Sequence, residues 1–177
     1  MAIDPDSIKF NQLYSKEQIE KRVKELGEKI SADFGNEQLI VVSVLKGSFI
    51  FAADLVRHIS IPLTMEFVGI KSYEGMTSTG KIQMTHDIST NIEGKNVLIV
   101  EDIVDTGFTM AFLLKKLGER KPKSLKLCTL LTKPDALQTP VKVDYFGFSI
   151  SKEFVIGYGL DLDGRWRELP YIAQVVT

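Results

Sequence analysis

Glu101, Asp102 and Asp105 place three carboxylates within five positions, and Thr106-Gly107-Phe108-Thr109 follows directly. The residues before them, Val97-Leu98-Ile99-Val100, are apolar and mostly β-branched, as in a buried strand. The residues after them, Met110, Leu113, Leu114 and Leu117, recur at helical spacing. A strand that turns sharply into a helix gathers free backbone N–H groups and the positive end of the helix dipole, which suits an anion such as phosphate. The acids in the same turn would repel a bare phosphate. Like charges about 4 Å apart cost roughly 4 kcal/mol at an effective dielectric near 20. The partner must therefore also bring hydroxyl donors or a divalent cation. A sugar phosphate with Mg²⁺ satisfies all of these demands. The blander alternative is a strand end carrying solvated acids, which fits one such acid better than three beside a Thr/Gly-lined helix start.

The elements that position this turn can be read around it. Ser15-Lys-Glu-Gln18 is a capping box, and it opens a helix with the apolar stripe Ile19, Val23, Leu26, Ile30 and Phe34. Gln38 to Leu45 reads as a doubly covered parallel strand, and Lys46-Gly47-Ser48 turns into a helix from Phe49 to His58. Leu63 to Ile70, Leu125 to Leu131, Asp144 to Phe148 and Phe154 to Gly157 complete the predicted strands. Residues 71–91 are polar and rich in Ser and Thr, with no clear period, which marks a functional lid or an insert. Strands alternating with helices predict an α/β fold with a mostly parallel central sheet flanked by helices. One domain over 1–177 is expected, with no repeat or linker to split it. In such sheets ligands gather at the carboxyl ends of the strands, where Lys46, Lys71, the acid cluster and Lys133 all fall.

The totals narrow the classes. With 177 residues, 44% of them hydrophobic, the chain can bury a core of its own. A formal charge of −1 shows none of the basic excess that nucleic acid requires. No apolar run approaches the ~20 residues needed to cross a bilayer. Asp4 and Asp6 stand where a secretory signal would be basic and then apolar, so a cytoplasmic location is expected. Cys128 is the single cysteine; it lies in an apolar run, where a buried thiol is expected and a nucleophile is not. Several motif matches fail on inspection. Gly75 to Lys81 starts like a P-loop, but Ile82 stands where a Ser or Thr must meet Mg²⁺. Asp161-Leu-Asp163-Gly164 lacks the third acid and closing Glu of a calcium loop. His58 and His86 have no thiol partners for zinc. Gly157-Tyr-Gly159 lacks the third glycine of a dinucleotide turn and reads as a strand end.

Residues 97–110 closely resemble the phosphoribosyl-pyrophosphate motif of the type I phosphoribosyltransferases: apolar strand, two acids, two apolar residues, then Asp-Thr-Gly-x-Thr. Leu45-Lys46-Gly47 resembles the loop that receives pyrophosphate in that family. Lys71-Ser72-Tyr73 resembles the lid of its hypoxanthine-guanine subgroup of bacterial type, and Leu131-Thr-Lys133-Pro its purine-reading lysine. Phe154-Val155-Ile-Gly-Tyr-Gly-Leu-Asp161, with Arg167 beyond it, resembles its base-stacking and metal-binding tail. The pieces stand in the family's order and span nearly the whole chain. One departure is Phe108, where some members carry Lys.

The resemblance implies a core at about 36–145, a hood from 1–20 and 146–177, and a mobile lid over 71–91. It implies transfer of the 5-phosphoribosyl group from phosphoribosyl pyrophosphate to a 6-oxopurine, hypoxanthine or guanine, in purine salvage. Asp105 would be the general base at ring nitrogen 7. Glu101 and Asp102 would hold the ribose hydroxyls, and Thr106, Gly107, Phe108 and Thr109 would cup the 5′-phosphate. Lys133 would donate to the 6-oxo group, Phe154 would stack on the base, and the Val155 backbone would meet its edge. Lys46, Gly47 and Arg167 would hold pyrophosphate, and Ser72 and Tyr73 would close over the reacting centre. Asp161 would bind Mg²⁺, with Glu101 and Asp102 beside it. A cis peptide at Leu45–Lys46 and a homodimer or homotetramer are further expectations. Two rivals fit less well. An RNA-binding attenuator of the same fold needs a basic surface, and a receiver-type phosphoacceptor domain leaves the stretch from Lys133 to Arg167 without purpose.

Overall fold

The computed structural model describes residues 8–73 and 81–176. In chain order the elements are β1 (Lys9–Tyr14), α1 (Lys16–Phe34), β2 (Leu39–Leu45), α2 (Phe49–Arg57), β3 (Leu63–Tyr73), β4 (Lys81–His86) and β5 (Asn96–Val104). They continue as α3 (Phe108–Gly118), β6 (Ser124–Thr132), a 3₁₀ turn (Pro134–Ala136), β7 (Tyr145–Ser149), β8 (Val155–Ile156) and β9 (Ile172–Val176). Six strands form one sheet in the order β4-β3-β2-β5-β6-β7, parallel except for β4 against β3.

The pleat of β2 explains why this sheet is covered on both faces. Successive side chains of a strand point to opposite sides. Leu39 and Val41 enter one core with Ile19, Val23 and Leu26 of α1 and Phe51 and Leu55 of α2. Ile40, Val42 and Val44 enter a second core with Met110, Leu113 and Leu117 of α3. The capping box forms as expected, Ser15 N–H donating to Gln18 Oε1 at 2.8 Å and Gln18 N–H to Ser15 Oγ at 3.3 Å. Cys128 is fully buried in the first core, and burial pushes its thiol up, away from thiolate chemistry.

Three strands depart from the sequence reading. β1 and β9 pair antiparallel, and β9 also pairs with β8, so the two chain ends make a second, three-stranded sheet. Within 71–91, the loop expectation is corrected: residues 71–73 extend β3, and β4 pairs back on it, Ser72 opposite Ile82 and Tyr73 opposite Lys81. Ile82 and Met84 alternate with exposed Gln83 and Thr85, the period of a half-buried strand. Residues 74–80, which include most of the rejected P-loop match, lie outside the described residues.

Candidate active site at the switch point of the sheet

From β2 the chain moves outward to β3, whereas β5, β6 and β7 build in the opposite direction. The crevice between the carboxyl ends of β2 and β5 is therefore the topological switch point of the sheet, where α/β proteins bind ligands. The loop after β2 carries Lys46 and Gly47, and the end of β5 with its following turn carries residues 101–107.

The turn after β5 is shaped by Gly107. It precedes α3 at φ +86°, and a Cβ there would come within 2.5 Å of the Thr139 carbonyl oxygen. Only glycine fits both the left-handed backbone and the close approach. The Thr106 carbonyl accepts from the N–H groups of Gln138 (3.0 Å) and Thr139 (3.1 Å), so the following loop clamps the turn. Glu101, Asp105, Thr106, Gly107 and Thr109 line a small pocket at the head of α3. Phe108 starts the helix and is 48% exposed.

Glu101 and Asp102 are a coupled pair. Glu101 Oε2 is fully enclosed and has no hydrogen-bond partner among the described residues. Burial first, and the neighbouring Asp102 charge second, hold the Glu101 carboxyl well above the usual carboxylate range. Asp102 is also raised by burial, but Glu101, the Ile103 N–H (2.7 Å to Oδ1) and the Arg167 charge favour its ionised form. Burial and mutual repulsion thus act on the two carboxyls together, and both are raised.

Two other segments converge here. The Leu45–Lys46 peptide is cis. Gly47 lies so close to Asp102 that a Cβ would stand 1.6 Å from Oδ2. A Cβ on Gly159 (φ +103°) would in turn stand 2.1 Å from the Gly47 carbonyl oxygen. Arg167 Nη1 donates to the Gly159 carbonyl at 2.6 Å, and its Nη2 pairs with Asp161 Oδ1 at 2.6 Å. Asp161 Oδ2 accepts from Gly164 N–H at 2.7 Å, the contact of a tight turn.

Lys133 follows β6 and pairs with Asp105 at 3.0 Å; the lysine is 12% exposed and the acid 46%. Phe154, just before β8, presents an aromatic side chain that is 52% exposed, while Val155 is buried. Among the described residues no set of three or more His, Cys, Asp or Glu could hold a metal ion. Asp161 is thus engaged with Arg167 and makes no such set with Glu101 and Asp102. The side chains of Ser72 and Tyr73 lie outside the described part.

A family model described as "Phosphoribosyl transferase domain" matches residues 9–163. The hypoxanthine-guanine phosphoribosyltransferase of Mycobacterium tuberculosis is 44% identical, over 97% of this chain and 88% of that protein. The chain belongs to the hypoxanthine-guanine phosphoribosyltransferase family. That of Bacillus subtilis is 42% identical over 90% of this chain and 89% of its own. A crystal structure of the Bacillus anthracis hypoxanthine-guanine phosphoribosyltransferase superposes with a TM-score of 0.90 at 48% identity, covering 96% of this chain and 98% of that one. The fold is accordingly that of the phosphoribosyltransferases, a mixed sheet with flanking helices.

Two residues behind this crevice escape sequence reasoning. Tyr158 sits between Gly157 and Gly159 and reaches Asp54 of α2 at 2.7 Å. A bulky aromatic between two glycines was the available signal. Its partner, 104 residues away, left none.

Proposed function

We propose that the chain transfers the 5-phosphoribosyl group of phosphoribosyl pyrophosphate to a 6-oxopurine, giving IMP or GMP and pyrophosphate. The observation that carries this reading is the Asp105–Lys133 pair beside the turn that heads α3. A purine in its N7–H form presents, side by side, a ring N–H donor and the 6-oxo acceptor. The neighbouring carboxylate and ammonium complement that edge, since one only accepts and the other only donates.

On this reading the N9 lone pair attacks the anomeric carbon, and the bond to pyrophosphate breaks with its electrons leaving on oxygen. The N7 proton passes to Asp105, acting as general base. Backbone N–H groups at the head of α3, with Thr106 and Thr109, bind the 5′-phosphate, with Phe108 on the rim. Glu101 and Asp102 accept from the ribose hydroxyls. Lys46, the Gly47 backbone and Arg167 take the pyrophosphate. Phe154 stacks on the base, and the Val155 backbone meets its edge. Ser72 and Tyr73 cover the reacting centre.

Mg²⁺ is a hard ion usually held by one or two carboxylates together with substrate phosphates, so it needs no set of three protein ligands. Asp161 would hold it, with Glu101 and Asp102 facing the same substrate, and when bound it neutralises charge on the departing pyrophosphate. We assign the sheet β1-β9-β8 to a hood, 71–91 to a lid, and the chain to a cytoplasmic homodimer or homotetramer. No helix among the described residues is long and apolar enough to cross a membrane.

The test is a spectrophotometric panel of hypoxanthine, guanine, xanthine and adenine with the donor and Mg²⁺. Turnover of hypoxanthine or guanine, with adenine slower by about 10⁴-fold, is expected for a site built to hydrogen-bond a 6-oxo group. Efficient AMP synthesis, or no turnover of any base, overturns the reading.

A further inference from the structure

Tyr158 has no part in the chemistry above, yet it is held with unusual care. It adopts φ +50° between Gly157 (+92°) and Gly159 (+103°), and it is 6% exposed. A bulky residue in the left-handed region is an outlier that its surroundings must enforce. Its N–H donates to the Leu169 carbonyl at 2.8 Å, and that of Gly159 to Arg167 at 2.9 Å. The phenol then donates to Asp54 Oδ2 at 2.7 Å, while Asp54 Oδ1 takes Arg57 at 3.1 Å. Arg57 is 74% exposed, so this ion pair fixes Asp54 only weakly.

Asp54 lies on α2, the helix that grows directly out of the Lys46–Gly47 turn. Phe49 N–H donates to the Lys46 carbonyl and Ala52 N–H to that of Ser48. One helix therefore carries the turn at its head and anchors the Tyr158 phenol on its body. Gly159 closes against the Gly47 carbonyl, and Arg167 is tied to the Gly159 carbonyl. We infer that the Tyr158–Asp54 hydrogen bond is a positioning device that sets the Arg167–Asp161 arm against the Lys46–Gly47 turn and thereby governs capture of the pyrophosphate group, not of the purine. Lys133, assigned to the base, stands outside this brace. The inference rests on the proposed assignment of that turn to pyrophosphate.

The test compares Tyr158→Phe, Asp54→Ala, Asp54→Asn and the double variant Tyr158→Phe/Asp54→Ala in steady-state kinetics. Magnesium pyrophosphate binding is measured separately by calorimetry. Tyr158→Phe and Asp54→Ala each raise KM for the donor and Kd for pyrophosphate about tenfold, the scale of one hydrogen bond to a charged group. KM for hypoxanthine stays within about twofold. Asp54→Asn, whose amide oxygen still accepts from the phenol, keeps near-native values. The double variant is no worse than either single one, as a shared interaction requires. Equal losses on donor and base, or a fall in Tm with unchanged pyrophosphate affinity, reduce the pair to a structural contact and overturn the inference. Wild-type protein that binds pyrophosphate but turns over no purine sinks the transfer reading instead, and the calorimetric comparison still decides the brace.

Discussion

Gly47→Ala tests how tightly the convergence at the switch point is built. The added Cβ would stand 1.6 Å from Asp102 Oδ2 and 2.4 Å from its Cγ. The carboxylate must retreat by about 1.4 Å before that contact reaches 3.0 Å, a separation real Cβ atoms essentially never undercut. The loop has little room to retreat in its place, because Gly159 packs closely on the Gly47 carbonyl. Asp102 therefore loses its place against the Ile103 N–H and its alignment with Glu101. Overpacking of this kind costs about 1–3 kcal/mol, or roughly 2–12 °C in Tm for a chain of this size. A misplacement near 1 Å in a reacting site costs about 10²-fold. The expected outcome is a folded protein whose kcat/KM for the donor falls about 10²-fold. Gly118→Ala is the control: its Cβ meets nothing closer than Leu125 Cδ2 at 4.0 Å, and alanine favours the helix. A Gly47→Ala enzyme within about threefold of wild type, with unchanged Tm, would show that the loop and Asp102 are not packed this closely.

Asp105→Asn should leave donor affinity intact and slow the chemical step by about 10²–10⁴-fold, read by single-turnover kinetics; unchanged turnover removes Asp105 from the base role. Lys133→Met should raise KM for hypoxanthine at least about tenfold, the loss of one charged hydrogen bond, with donor KM unchanged; a selective rise in donor KM would instead place this lysine on phosphate. Glu101→Gln tests the burial of this carboxyl. Because Glu101 is raised in the fold, the folded chain keeps a proton that the unfolded chain releases, so wild-type stability declines as pH climbs above the ordinary carboxylate range. Glutamine removes that dependence, so the Tm difference in favour of the variant should widen from pH 4 to pH 8, and parallel curves would contradict the burial argument.

Most of the sheet is legible because its strands are short apolar runs between helices of clear period. β2 shows this best: every residue from Leu39 to Val44 is buried, and so each must be apolar or small. β1 and β9 are harder. β1 buries little on either side, with mostly exposed or half-exposed residues, and it pairs with a strand more than 150 residues away. Neither periodicity nor turn chemistry reports such a pairing. β4 did carry a signal in Ile82 and Met84, drowned by the Ser, Thr and Gly around it. The site divides in the same manner. Contiguous pieces such as residues 101–109 announce themselves, because turn, helix start and acids are written in one stretch. Contacts such as Gly159 on Gly47 and Tyr158 on Asp54 join segments about 100 residues apart and depend on backbone approach, which side-chain identity does not encode.

Two charge pairs of this site are already made inside the chain, and one of them bears on discrimination between bases. Asp105 is paired with Lys133 and Arg167 with Asp161. On the proposed reading, a purine that enters between Asp105 and Lys133 must replace the partner of each. A 6-oxopurine does so, with N7–H for the carboxylate and O6 for the ammonium. Adenine serves Asp105 but turns an amino group toward Lys133, which is 12% exposed and has little water to fall back on. The lysine then loses its ion pair without compensation, and an unsatisfied charged group costs more than the 1–3 kcal/mol of a neutral one. Rejection of adenine thus comes less from a favourable contact with O6 than from the pair that any base must break.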